Sequence, residues 1–333
     1  MFLYMTALLT IFGILNSSKA NAWNPDGIDQ RDFWAYETDD SAPSASDILV
    51  PITSFLLPGF GQWTKRQIIS ASAYSGVAIA SARYSLFARK EVGWRSDPES
   101  EYDSKNVAMR KVALGLQTYQ AAGGLSLYHS FRSAVWQRQK YGQYRFLEKS
   151  ETPIQLLSAP FRFEYIERPS TFIPLLIGAS ASFYFSRHPP ENFTRTTLRR
   201  EDAWFSGAFS YNAGTHEEAI FRGWFMPVLR ESGFSPEMSN IGQGVLFALA
   251  HLGTYDRPWP QLFLGLHLGR VAQKNEWTLG ESIFIHTWWD VLAFLSAYSL
   301  EKKNVAETKR TAANTSPMEQ KLRLVLPPIS ISF

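Results

Sequence analysis

The sequence predicts an all-α fold, a polytopic membrane helix bundle, and three observations support this prediction. Apolar segments of helical length follow one another along the 333 residues. Two of them, about 67–88 and 107–135, are rich in the small residues that let helices pack closely in lipid. The 24 Phe, 14 Tyr and 11 Trp suit a protein with long membrane–water boundaries, where aromatic rings collect.

The overall composition excludes several classes of function. The formal net charge is only +3 and the basic residues are spread along the chain, so no nucleic-acid partner is predicted. The chain has no cysteine, which rules out disulfides, thiol catalysis and thiolate metal sites. Composition does not indicate an oligomeric state.

The N-terminal segment has the features of a bacterial export signal. Residues 2–15 are apolar, and Ala20-Asn21-Ala22 forms a small-x-small cleavage site before Trp23. These features predict a signal peptide over residues 1–22, with an uncleaved anchor as the alternative. Residues 23–50 are acidic and rich in Ser and Pro, as in an exposed lead-in.

Residues 51–150 are predicted to form an N-terminal membrane hairpin module. Its first apolar stretch, 51–63, is broken at Pro58-Gly59-Phe60-Gly61-Gln62, which favours a re-entrant or interfacial turn over a full helix. The two small-residue helices described above follow this turn. Residues 151–170 form a basic linker, whose alternating run 161–165 predicts a strand or an interfacial segment.

The region 171–302 is predicted to be the core of the protein. Its apolar segments are about 171–186, 203–213, 217–232, 239–253, 259–272 and 281–300. Several are shorter than the ~20 residues that a simple membrane span requires, so some must be half-helices or helices buried by protein. Residues 303–333 form a polar tail.

Two adjacent carboxylates, Glu217 and Glu218, lie within otherwise apolar sequence. Thr215-x-x-Glu218 matches a capping box and predicts a helix that begins near His216, whose first turn would favour both carboxylates. Glu218 and Arg222 are i, i+4 neighbours and can form an ion pair, while Glu217 lies about 100° around the axis and can face a cavity. The alternative is a solvated helix start with a surface salt bridge.

Two histidines follow apolar runs further along the chain. His251 ends one such run, and His286 is followed one helical turn later by Asp290 on the same face. The second spacing suits two metal ligands or an imidazole oriented by a carboxylate. Taken singly, a histidine such as His251 on an apolar helix is more often a hydrogen-bonded core residue than a catalytic one, and His286 with Asp290 is compatible with a hydrogen bond at a helix surface. The histidines expected to be structural are His129, His188, His216 and His267.

Taken together, these motifs resemble a known family. The motif Glu217-Glu218-x-x-x-Arg222 is followed by Phe247-x-x-x-His251 and then by His286-x-x-x-Asp290, on successive apolar segments. This order resembles the CAAX protease and bacteriocin-processing family, intramembrane proteases that include the type II CAAX prenyl endopeptidases. The resemblance covers about residues 170–300 and implies an active site between helices.

The resemblance also implies a role for each motif residue. Glu217 would be the general base that activates water together with His251. His286 and Asp290 would face the scissile carbonyl and its developing oxyanion. The supporting residues would be Glu218, Arg222 and Phe247. The implied partners are the lipid bilayer and a membrane protein or peptide substrate. Together with the bacterial export signal, they predict a multi-pass protein of the bacterial inner membrane.

Asp290 departs from the family pattern, which most often has Asn at this position. An Asn amide can donate to an oxyanion, whereas Asp can donate only when protonated. Either burial keeps Asp290 neutral, or Asp290 orients His286 or helps to bind a divalent metal such as zinc. The possible metal ligands are Glu217, His251, His286 and Asp290.

The sequence is also compatible with two other functions. A non-catalytic membrane scaffold or immunity-type protein that keeps the family site is favoured by Asp290 and by the short apolar segments. A soluble helical metalloprotein is favoured by the slightly negative mean hydropathy.

Overall fold

Helices form almost all of the computed structural model, which describes residues 46–92, 107–149, 151–251 and 259–302. Within these ranges the only sheet is a two-stranded antiparallel one, so the all-α prediction is confirmed. The predicted signal peptide over 1–22, nearly all of the acidic lead-in and the tail over 303–333 lie outside the described residues.

The N-terminal part contains the four helices α1 (Ser46–Leu56), α2 (Phe60–Thr64), α3 (Ile68–Val92) and α4 (Val107–Gln139). The remaining helices are α5 (Pro153–Ser158), α6 (Pro169–Arg187), α7 (Arg200–Ile220), α8 (Met226–Glu231), α9 (Pro236–Ala250), α10 (Trp259–Lys274) and α11 (Gly280–Tyr298). The strands β1 (Phe193–Arg195) and β2 (Leu300–Lys302) pair with Thr194 opposite Glu301.

Helix lengths and apolar character bear on the predicted polytopic arrangement. Among the described residues, no helix is both long enough and apolar enough to cross a membrane. The polytopic arrangement therefore stays a prediction.

The N-terminal module packs directly on the helix that carries the acidic pair. Gly124 of α4 lies against His216 of α7, so close that a Cβ at 124 would be 2.7 Å from the His216 Cβ. At the other end of the two helices, Arg110 forms a buried 2.6 Å ion pair with Asp202. The predicted division between a module over 51–150 and a separate core stays a prediction.

The predicted turn at Pro58–Gln62 separates α1 from α2, and its second half is the start of α2. Neither of these two helices was predicted from the sequence. Gly59 adopts a φ of 98°, which glycine tolerates without strain. Its backbone N–H donates to the Ser126 hydroxyl at 2.8 Å, and that hydroxyl donates to Gln62 Oε1 at 2.7 Å. These bonds attach the turn to α4.

The alternating run 161–165 is not a strand. It contributes to two short 3₁₀ helices, Ala159–Phe161 and Phe163–Glu167. Phe163 and Tyr165 both pack edge-on against Phe284 of α11, with ring centroids 5.8 Å apart in each case. The alternation therefore reflects aromatic packing onto α11 rather than strand pairing.

The prediction that a helix begins near His216 is wrong. Helix α7 is continuous through this region, and Thr215 does not cap a helix because its hydroxyl donates to the Tyr211 carbonyl at 2.7 Å. Gly214 does not mark the end of a helix but allows α7 to pack closely against α11, since a Cβ there would lie 2.5 Å from Thr287 Oγ1. Glu217 and Glu218 are thus at the C-terminal end of a long helix.

A π-helical segment, Phe221–Phe225, joins α7 directly to α8. Pro227 lacks a backbone N–H and its ring crowds the carbonyl four residues earlier, which accounts for the local widening of the helix. Arg222 lies inside this widened turn and points into the interior, fully buried.

Candidate active site

Three helices bring the predicted site residues together. Helix α7 supplies the acidic pair, His251 lies at the C-terminal end of α9, and α11 supplies His286 and Asp290. The seven motif residues divide by their contacts into an inner cluster of Glu218, Arg222 and His286, and an outer set of Glu217, His251 and Asp290. Phe247 packs between the two.

The inner cluster is a buried network of direct hydrogen bonds. Glu218 Oε1 accepts from Arg222 Nη1 at 2.9 Å and from His286 Nδ1 at 2.8 Å. The second terminal nitrogen of Arg222 donates to the Gly265 carbonyl of α10 at 3.0 Å. The predicted Glu218–Arg222 ion pair is confirmed, but Glu218 also orients His286, a role that the sequence reasoning considered only for Asp290.

Burying the charges of this network requires a large desolvation free energy. The side chains of Glu218 and Arg222 are fully buried, and desolvated charges of this kind are tolerated only when they are paired. Losing one partner of such a pair costs about 3–5 kcal/mol, because the other charge stays buried alone. Phe247 adds to the network, since the Arg222 guanidinium lies 4.5 Å from its ring centroid.

The outer set is arranged differently around Glu217. Its Oε2 atom lies 3.8 Å from His251 Nε2 and 3.7 Å from His286 Nε2, distances too long for hydrogen bonds. Among the described residues this buried oxygen has no hydrogen-bond partner. The carboxylate therefore faces both imidazoles, and its lone pairs are available to a ligand.

A helix carbonyl fixes the orientation of His251. Its Nδ1 lies 2.7 Å from the Phe247 carbonyl oxygen. Because a carbonyl can only accept, Nδ1 carries the proton, and in the neutral ring Nε2 presents a lone pair toward Glu217. The Nε2 edge of the His251 ring is thus directed at the Glu217 carboxylate.

Asp290 contributes charge to the site without a direct hydrogen bond to His286. Its Oδ2 lies 3.6 Å from His286 Nε2, and its side chain is 24% exposed. With Glu217 and Glu218, it surrounds the His286 ring with three carboxylates, all within 4 Å. Negative charge on every side favours the imidazolium form, whose Nε2–H can donate.

The predicted zinc ligands Glu217, His251, His286 and Asp290 all lie in or beside the outer set. In the part of the chain that the structure describes, no group of three or more His, Asp or Glu side chains is placed to hold a metal ion. The bond from His286 Nδ1 to Glu218 leaves Nε2 as the ring nitrogen that faces Glu217 and Asp290. Zinc binding stays a prediction.

Two carboxylates that the sequence reasoning missed anchor the start of α11. Glu151 accepts the backbone N–H groups of Leu279 and Gly280, the latter at 3.0 Å. Burial raises the pKa of the Glu151 carboxyl above its ordinary value, and the two N–H donors act in the opposite direction. Glu281 accepts from Arg168 at 2.6 Å. Neither contact has a local sequence signal, because the partners lie more than 100 residues away.

The four other histidines are hydrogen-bonded within the fold. The pairs are His129 with the Tyr74 hydroxyl, His188 with the Tyr184 carbonyl, His216 with the Asn212 carbonyl and His267 with the Ser170 carbonyl. These contacts agree with the structural roles expected for them.

The fold and the site define a helical protein with an acid–base centre of carboxylates and imidazoles between its helices. Residues 199–292 match the family model described as type II CAAX prenyl endopeptidase Rce1-like. Over this part of the chain, the match confirms the resemblance that the three motifs predicted, to a family of membrane-associated CAAX-type proteases, and all of the motif residues lie within it. No curated protein and no solved structure matches the chain.

Proposed function

We propose that this protein is an endopeptidase that hydrolyses a peptide bond of a membrane-associated protein or peptide. The observation that carries the proposal is the position of Glu217, whose Oε2 faces His251 and His286 at 3.7–3.8 Å without a hydrogen-bond partner among the described residues. A carboxylate beside two imidazoles is suited to take a proton from water.

In the proposed first step, Glu217 acts as the general base. A water molecule held by Glu217 and by the Nε2 lone pair of His251 gives one proton to the Glu217 carboxylate. The water oxygen forms a bond to the scissile carbonyl carbon, and the π electrons of the carbonyl group move onto the carbonyl oxygen, which becomes the oxyanion. General-base assistance of this kind contributes about 10²–10⁴-fold to a rate.

In the second step, His286 stabilises the oxyanion and Glu217 returns the proton. The Nε2–H of the His286 imidazolium donates to the oxyanion, and it is aimed beforehand because Glu218 holds Nδ1. When the tetrahedral intermediate collapses, the C–N bond breaks and the leaving nitrogen takes the proton from Glu217. The products are a carboxylic acid and an amine. Glu218 and Asp290 together favour the charged form of His286 throughout.

The membrane location is also part of the proposal, as a multi-pass protein of the bacterial inner membrane. It is supported by the membrane-associated family and by the exposed apolar surface of α6, next to α11. Its large exposed apolar side chains are Phe172, Ile173, Leu176, Ile177, Phe183 and Tyr184. Contiguous apolar surface of this kind marks contact with lipid or with a partner protein.

The test is a cleavage assay with purified protein and a membrane-inserted peptide library. We expect Glu217→Ala and His251→Ala to abolish product formation. Glu276→Ala serves as the matched control, because it removes an exposed carboxylate that pairs only with Lys149 in the described residues. Wild-type turnover that survives in both Glu217→Ala and His251→Ala would refute the assignment.

The second candidate function is a non-catalytic membrane scaffold that keeps the site for stability. It is favoured by the burial of the inner cluster, which is typical of a network that stabilises a fold. It is also favoured by Asp290 in place of the usual Asn. It predicts no proteolysis by the wild type and loss of partner binding in Glu217→Gln. The third possibility, a soluble helical metalloprotein, predicts that carbonate extracts the protein from membranes.

A further inference from the structure

A buried amide lies behind the inner cluster and belongs to none of the three motifs. Gln243 is on α9 and is fully buried. Its amide nitrogen donates to the Gly265 carbonyl at 2.9 Å and to Asn240 Oδ1 at 2.7 Å. Asn240 in turn donates to the Leu266 carbonyl at 2.9 Å. The two amides thus attach α9 to consecutive carbonyls of α10.

The Gly265 carbonyl connects this amide to the site. It accepts both Gln243 Nε2 and Arg222 Nη2, at 2.9 and 3.0 Å. Arg222 then donates to Glu218, and Glu218 accepts His286 Nδ1. An unbroken series of hydrogen bonds therefore runs from Gln243 to the imidazole that faces Glu217.

Two glycines of α10 make room for this arrangement. A Cβ at Gly269 would lie 2.0 Å from Asn240 Oδ1 and 2.5 Å from Gln243 Nε2. A Cβ at Gly265 would lie 3.4 Å from Arg222 Nη2 and 3.2 Å from the Phe247 ring. The small residues of this helix thus admit polar groups from the π-helical segment and from α9, in addition to allowing close packing.

The contacts of Gln243 indicate a role other than stability. Its Oε1 atom is buried and, among the described residues, has no hydrogen-bond partner. Leaving a buried polar atom unpaired is unfavourable, so packing alone does not account for an amide at this position. The feature that only the amide supplies is its pair of N–H donors, one for the Gly265 carbonyl and one for Asn240 Oδ1.

We propose that Gln243 is a positioning residue, which orients His286 through Gly265, Arg222 and Glu218. By holding the Gly265 carbonyl, it sets the position of the guanidinium and hence of the Glu218 oxygen that receives His286 Nδ1. The catalytic meaning of this role rests on the proposed function, whereas the effect on His286 does not.

The test compares Gln243→Met with Gln273→Met. Gln273 is a matched control on α10, because its Nε2 also donates to a backbone carbonyl, that of Pro236, and its Oε1 is also buried without a partner in the described part of the chain. The two variants lose equivalent amides, but only Gln243 connects to the inner cluster. Gln243→Leu is the second variant if Gln243→Met does not fold.

Two readouts are used on full-length protein, kinetics and ¹⁵N NMR with labelled histidine. The chain has only six histidines, and the His286 signals are assigned by their loss in His286→Asn. We expect Gln243→Met to lower kcat about 10- to 100-fold with little change in KM, as when an orienting partner is removed, and to shift the His286 ring nitrogen signals. Gln273→Met should change neither.

The proposal is overturned if the His286 signals of Gln243→Met coincide with those of the wild type, or if Gln273→Met shifts them equally. It is also overturned if kcat is unchanged in an active wild-type background. A wild type without any turnover would instead refute the proposed function, and the NMR comparison would still decide whether Gln243 positions His286.

Discussion

The inner cluster and the outer set use the same kinds of side chain in opposite ways. In the inner cluster, Glu218 makes hydrogen bonds of 2.8 and 2.9 Å and is fully buried. In the outer set, the neighbouring Glu217 is 15% exposed and stays 3.7–3.8 Å from both imidazoles. Two carboxylates adjacent in sequence are therefore divided between a fixed framework and an available base.

The difference shows how one imidazole can belong to both groups. The Nδ1 atom of His286 is bound to Glu218, while its Nε2 faces Glu217 and Asp290. Fixing one ring nitrogen determines the direction of the other, because the imidazole is rigid and planar. The rigidity of the inner cluster is thus what gives the outer set a defined geometry.

The largest effect is expected when the framework is broken at Arg222. Arg222→Met leaves the Glu218 carboxylate buried without its cation, so we expect the free energy of unfolding to fall by about 3–5 kcal/mol and turnover to be lost. Thermal and denaturant unfolding measure the first effect. A variant as stable as the wild type would show that the buried pair does not hold the site.

The next prediction changes the distance between α7 and α11. Gly214→Ala places a methyl group 2.5 Å from Thr287 Oγ1, so the two helices must separate, at about 1–3 kcal/mol. Turnover should fall as well, because these helices carry Glu218 and His286. Gly207→Ala on the same helix is the control, since its Cβ meets no atom within 4 Å. It should stabilise the protein slightly, by about 0.5–1 kcal/mol.

A smaller effect is expected within the outer set at Asp290. Asp290→Asn introduces the amide that the family most often has there, and an amide can donate to an oxyanion. We expect turnover to be retained, with a change of less than about tenfold, and stability to be unaltered. Complete loss of activity in a folded Asp290→Asn protein would show that its charge is indispensable.

The smallest effect is expected from metal removal. In the proposed mechanism Glu217 activates water without a metal ion, so dialysis against a chelator should leave turnover unchanged. Elemental analysis of the wild type and of Asp290→Asn provides the direct check. Stoichiometric zinc that disappears together with activity would instead support the predicted metal ligands.

Much of the site could be predicted because its motifs are local patterns. The i, i+4 spacing of Glu218 and Arg222 predicts their ion pair, and the three motifs together predict the family. Contacts between distant residues have no such signal. The His286–Glu218 bond joins positions 68 residues apart, and the series of hydrogen bonds from Gln243 depends on how α9 packs against α10.

The fold itself was predicted correctly in class and less well in its boundaries. Gly214 and Thr215 have the composition of a helix start, so the continuous helix α7 was predicted as two segments. Tertiary packing explains the glycine at position 214, because α11 approaches α7 there so closely that no side chain would fit. The π-helical segment at Phe221–Phe225 was missed for a related reason, since its cause, Pro227, lies beyond it.

The most direct test measures turnover and stability together in Glu217→Gln and Glu218→Gln. We expect Glu217→Gln to lose about 10²–10⁴-fold in kcat with an unchanged Tm, because only the base is removed. Glu218→Gln should lose both activity and several kcal/mol of stability, because Arg222 is left without its counter-charge. Equal effects of the two substitutions on both quantities, or an active Glu217→Gln, would contradict the division of the pair into base and framework.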